Sequence, residues 1–328
     1  MAEEEPSSLA SIARSQRIPE KEFEKQYKDH LSGFRDWNQL EHAEEWLVFA
    51  DNIGENLSID EVAVSNGELY TIVTNKAAHG RKKALVAIVN GTKTPDITAV
   101  LHKISPEKRN VVKETTLDMS PAMDATVRQS FPAASLVTDR FHVQQLVSEA
   151  VQEIRIGLRR EALKEENETL KICRKEKVKY APIVFENGDT KKQLLARSHH
   201  LLFKPESRWT DSQKQRSEIL FKEFPELQKA YELSMMFRNC YETSHTIGEA
   251  KESFKKWYAK IEEKQIEPFL VVADSVRLHE ATILNYFINR STNASAESFN
   301  AKLKGFRTLV RGVRDKKFFL FRIAKLYG

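Results

Sequence analysis

Asp60, Asp118 and Glu297 are the side chains of this sequence with the types and settings best suited to chemistry, although they stand far apart along the chain. Asp60 lies inside NLSIDEVAV (residues 56–64), where Leu57, Ile59 and Ala63 share one parity and Val62 and Val64 the other. Such a run reads as a strand buried on both faces. An unpaired carboxylate there is unfavourable by several kcal/mol and calls for a compensating charge. Asp118 ends a second predicted strand, NVVKETTL, and Glu297 stands near the start of a helix capped by Thr292 or Asn293. Carboxylates brought together repel, and one takes up a proton unless a cation lies between them. Hard oxygen donors suit magnesium. A pair of such ions about 3.5–4 Å apart activates an attacking oxygen and stabilises a leaving one. Metal-assisted phosphoryl chemistry is what the three acids suggest.

The helix bearing Glu297 adds to this. Asn293, Glu297, Asn300 and Lys304 fall on one face at helical spacing. From Lys302 to Lys325 the chain has nine lysines and arginines against one acid, Asp315, with Phe306, Phe318, Phe319 and Phe321 interleaved. Such a stretch suits a nucleic-acid backbone, bound with salt-sensitive and largely sequence-blind affinity. Taken singly, each feature has a plainer explanation. Asp60 reads as an edge residue, Asp118 as a helix cap, Glu297 as macrodipole decoration and the basic stretch as a solvated helix face. Glu61 reads as structural, and His199-His200, His245 and His279 have no ligand-like spacing. Only the combination points to a metal site.

The elements that must position these acids follow from periodicity. Residues 1–18 are polar; PEKEFEKQYKDHL and DWNQLEHAEEWLVFA (residues 36–50) read as amphipathic helices. SIDEVAVSNGELYTIVTN joins two β-prone runs through Asn66-Gly67, as a type I′ hairpin requires, and ALVAIVN supplies a third strand after the basic loop HGRKK. Thr94-Pro95 and Ser120-Pro121 each start a helix, on either side of the strand NVVKETTL. Pro132 ends the second helix, and ASLVT forms a fifth strand ending at Asp139. The order β-β-β-α-β-α-β belongs to the ribonuclease H-like α/β fold, here a mixed five-stranded sheet. Everything from His142 to about residue 290 reads as helix, with capping boxes at Thr210/Gln213 and Thr246/Glu249. The domains expected are N-terminal helices (1–54), a first part of the core (55–142), an all-helical insertion (143–290), and C-terminal catalytic and basic helices (291–328).

Bulk composition sets outer bounds. At 328 residues, 41% hydrophobic and 30% charged, the chain supports a core with a heavily solvated surface; its net charge is only +5. Cys173 and Cys240 are too few for a disulfide framework or a zinc site. No apolar run reaches the roughly 18 residues that span a bilayer, and MAEEEPSSLA has no signal core. The expectation is a cytoplasmic protein, not one at a membrane.

In order along the chain, SIDEVAV…GELYTIV, DMSPAM…FPAASLVTDRFHVQQLV, HLLFKP, FPELQKAYELSMMF and STNASAESFNAKLKGFR resemble the DDE transposases of bacterial insertion sequences, specifically the ISL-three-like group. The resemblance runs from about residue 36 onward. It implies a ribonuclease H-like core interrupted by helices before the last acid, with two Mg2+ (or Mn2+) ions held by Asp60, Asp118 and Glu297. Asp139 and His142 match the family's D-x-x-H signature and assist the site, with Asp139 as metal ligand the alternative. Asn300, Lys302, Lys304, Arg307, Arg311 and Arg314 are then expected on DNA. The activity implied is cleavage of double-stranded DNA at the element's ends and strand transfer into target DNA, by a homodimer or larger assembly. A nuclease or resolvase without strand transfer, and a non-catalytic DNA-binding derivative, are the alternatives. After the Glu the family pattern resembles E-G-x-N-N, where this chain has ESFNA. The zinc motif and helix-turn-helix with which relatives often begin do not precede residue 36, so a separate DNA-reading polypeptide is a further expectation.

Overall fold

β-Branched and aliphatic runs punctuated by turn residues build one mixed sheet. The computed structural model describes residues 5–65, 68–310 and 315–328; the expected Asn66-Gly67 turn and the expected DNA contacts Arg311 and Arg314 lie outside them. The strands are β1 (Trp46–Val48), β2 (Asn56–Ser65), β3 (Glu68–Asn75), β4 (Leu85–Asn90), β5 (Glu114–Leu117) and β6 (Ser135–Thr138). Their spatial order is β1-β4-β3-β2-β5-β6. β2, β3 and β4 form an antiparallel meander with β1 antiparallel on its outer edge, while β5 and β6 extend the other side in parallel. This is the ribonuclease H-like arrangement, carried by six strands where five were expected.

The additional strand corrects one expectation. Residues 36–50 form turns and then β1, not an amphipathic helix. Trp46, Leu47 and Val48 pair with Val89, Ile88 and Ala87, some 40 residues further on, and Gln39 accepts from and donates to the Val48 backbone. Leu40, Trp46, Leu47 and Phe49 sit at spacings that serve either period, and a long-range partner decided between them. β5 is also shorter than its predicted run, because Pro106–Arg109 forms a helical turn and residues 110–113 lead out of it.

Both faces of the sheet are covered. Leu57, Ile59, Val73, Val86 and Val89 pack against Ile97 and Leu101 of the Thr94–Leu101 helix and Met123, Val127 and Phe131 in or just after the Pro121–Ser130 helix. Val62, Tyr70, Ile72, Leu85 and Ile88 pack on the opposite side against Phe299, Leu303 and Phe306 of the Ala294–Leu309 helix and Leu320 and Ile323 of the Lys316–Tyr327 helix. Each large side chain so buried contributes about 1.5–3 kcal/mol. Leu9, Tyr27 and Phe34 add a smaller cluster on Phe318 and Phe321.

Internal contacts divide the chain into two units. The first is discontinuous, residues 1–139 with 290–328, and contains the sheet; the second is residues 140–289. Among its described residues the second unit is helical, without a strand. It begins with the long helix Arg140–Glu176, and its core joins Phe237 and Tyr241 to Phe254 and Trp257. Thr210 with Gln213 forms a full capping box, and Thr246 accepts from Glu249 N–H. Buried Asp189 is held between Arg197 and Arg216.

Candidate active site at the ends of three parallel strands

The parallel register brings the acids to one level of the sheet. Ser58 of β2 lies beside Thr116 of β5, which lies beside Val137 of β6. Two residues further along each strand are Asp60, Asp118 and Asp139. Asp139 N–H donates to Leu117 O at 2.8 Å, carrying the ladder one step past the end of β6. Three aspartates thus share a row across adjacent strands.

Each is held by different neighbours. Asp60, half-buried, accepts from the Glu61 N–H through Oδ1 and from Asn300 Nδ2 through Oδ2, both at 2.8 Å. Asp118 accepts from Ser120 N–H at 2.9 Å, in the turn that starts the Pro121–Ser130 helix. Asp139 is 1% exposed; its Oδ1 accepts from Asn293 N–H at 2.9 Å, where the Ala294–Leu309 helix begins, and its Oδ2 is buried with no protein partner. Burial, then the charges of Asp118 and Asp60, push the Glu61 carboxyl above its usual range.

The third predicted ligand comes from that same helix. Glu297 stands exposed in its first turn, and one of its carboxylate oxygens lies within 4.8 Å of one from Asp139. His142 lies three residues beyond Asp139, in the first turn of the Arg140–Glu176 helix. His142 Nε2, like Asp139 Oδ2, is buried without a hydrogen-bond partner. The carboxylates of Asp139 and Glu297, the first with a buried and unsatisfied oxygen, fit a divalent cation. Neither Asp60 nor Asp118 has an oxygen in this 4.8 Å group.

The basic residues divide. Asn300, expected on DNA, is 6% exposed and faces Asp60. Lys302 donates to Gly80 O at 2.9 Å. Lys304 is exposed, and the half-buried Arg307 places its guanidinium 5.2 Å from the centre of the Phe319 ring. Two members of the neighbourhood escaped the sequence reading. Lys76, just after β3, donates to Thr116 Oγ1 at 2.8 Å and lies 3.5 Å from Glu114 Oε1. Burial lowers its ammonium pKa, against the opposing pull of Glu114. No local signal distinguishes Lys76 from the lysines of the basic loop beside it.

Comparison with known proteins adds one finding. A family model described as Transposase, of the ISL-three-like DDE group, matches residues 57–323. No curated protein and no solved structure matches the chain.

Proposed function

Because the chain belongs to the ISL-three-like DDE transposases, we propose that it cleaves DNA phosphodiesters at the ends of a mobile element and joins them to target DNA, using divalent cations. The observation that carries this reading is the row Asp60, Asp118, Asp139 with Glu297 beside its last member. Asp60, Asp118 and Glu297 would hold two ions, Mg2+ or Mn2+, and the closeness of Asp139 to Glu297 supports Asp139 as a further ligand. When bound, such ions supply charge neutralisation at the phosphate and at the attacking and departing oxygens.

The chain's own groups do the rest. Asn300 fixes one oxygen of Asp60, and Asn293 N–H fixes one of Asp139, so both carboxylates are oriented before substrate arrives. His142, three residues after Asp139, completes the D-x-x-H pattern expected to assist the row. Lys304 and Arg307 follow Glu297 along its helix and suit backbone phosphates. Two element ends must be paired, which calls for at least a homodimer, and a separate polypeptide reading the end sequence remains part of the proposal.

Asp118→Asn and Asp139→Asn variants, assayed for cleavage of end-bearing DNA in magnesium, test the assignment. Loss of at least about a hundredfold is expected for Asp118→Asn, removal of a charge-stabilising group being worth several kcal/mol. If only Asp139→Asn abolishes cleavage, the second ligand is Asp139. If neither change matters, the proposed chemistry is wrong. Adding target plasmid and finding cleaved ends but no joined products would reduce the activity to that of a nuclease.

A further inference from the structure

One rung below the aspartate row, the same sheet holds a buried cation to which the reaction gives no role. Lys76 follows β3, and its ammonium reaches Thr116 and Glu114 on β5, so its side chain must span the intervening β2. The side chains of Lys76 and Glu114 are only 16% and 6% exposed. Thr116 sits beside Ser58 and Val137, and Asp60, Asp118 and Asp139 are each two residues further along those three strands. Two residues of strand span about 7 Å. One positive charge therefore lies a single rung beneath three negative ones, and Asp139 acts on it through space. Sheet stability does not call for this arrangement, since apolar side chains of similar volume serve a buried position as well as an ion pair or better.

We propose that Lys76 is a positioning residue for the acid row. Its ammonium holds Asp60, Asp118 and Asp139 together when no other cation is present. It also weakens the row's grip on a divalent ion, so that firm binding awaits the phosphate of the substrate. The inference rests on the reading of the row as a cation site.

Mn2+ binding to the full chain without DNA, measured by calorimetry, tests it. Lys76→Met/Glu114→Gln removes both charges at nearly constant volume, whereas Glu114→Gln alone leaves the ammonium unneutralised. Expected are about tenfold tighter Mn2+ binding by the double variant and weaker binding by Glu114→Gln, as Coulomb's law at this separation directs. Lys76→Arg, which keeps the charge, should stay near wild type. A purely structural Lys76 would loosen Mn2+ binding in the double variant or leave it unchanged, and either result overturns the proposal. If Glu114→Gln fails to fold by circular dichroism, the double variant against wild type decides. Wild-type protein that does not bind Mn2+ overturns the cation-site reading and this inference with it. Binding without the expected order overturns this inference alone.

Discussion

Replacing Asn300 with Leu separates a catalytic from a structural use of the hydrogen bond to Asp60. The bond is 2.8 Å long and runs to a carboxylate, a kind worth about 1.5–3 kcal/mol. Asn300 Oδ1 is buried with no partner, so its removal recovers about 1–3 kcal/mol of desolvation. Leu has a similar volume and suits a position 6% exposed beside Phe299 and Leu303. The two contributions nearly cancel, and urea unfolding should move by no more than about 1 kcal/mol. Asp60 loses the amide that holds its Oδ2 and keeps the Glu61 N–H on Oδ1. If that loss of about 2 kcal/mol is felt at the chemical step, end cleavage in magnesium falls about thirtyfold. A rate within about threefold of wild type, or a loss of more than about 4 kcal/mol of stability, would refute the argument.

Asp315 caps the C-terminal helix through Phe318 N–H and pairs with Lys28 at 2.6 Å; burial works to raise its carboxyl, but these partners outweigh it and hold the pKa below the usual carboxylate range. A depressed acid stabilises above its unfolded pKa and loses that contribution as pH falls through the folded value. Asp315→Asn should therefore cost about 0.5–1 kcal/mol at pH 7 and almost nothing near pH 2, read by urea titration at both. Cys240 is buried with its thiol pushed up to about 12, whereas Cys173 is half-buried, so one equivalent of a thiol reagent should react in native protein and the second only in denaturant. Equal rates for both would contradict the packing. Gly80 has φ +66°, and a Cβ there would stand 3.0 Å from Lys302 Nζ; Gly80→Ala should cost about 1–2 kcal/mol in thermal or urea unfolding.

Local chemistry made most of the sheet readable in advance. SIDEVAV, ELYTIV and ALVAIV are β-branched runs, and β2, β3 and β4 occupy them. Thr210 and Thr246 announce their helices by cap and partner residue, and both caps are formed. β1 was hidden because Trp46–Val48 is only three residues long and gains its identity from β4. The acids were findable because each lies at an element's end or breaks an apolar pattern. Their neighbours were not. Helical spacing placed Asn300 on the face of Glu297, but it could not show that Asn300 lies over Asp60 instead of facing solvent. Lys76 and Glu114 meet across 38 residues and two strand boundaries, where sequence spacing carries no information.

Because the sheet-bearing unit is split along the chain, its assembly follows the order of synthesis. The six strands of the described residues are all translated by residue 138, but the two helices that shield Val62, Ile72, Leu85 and Ile88 come from 294 onward. At about 5–20 residues per second, the oily side of a nascent sheet waits on the order of ten seconds or more while the helical segment is translated. Asp60 and Asp139 wait equally long for Asn300 and Asn293. A ribosome that stalls inside the helical segment leaves a product whose apolar side is uncovered and which lacks the helix carrying Glu297 and Asn300, so unfinished copies pose an aggregation hazard.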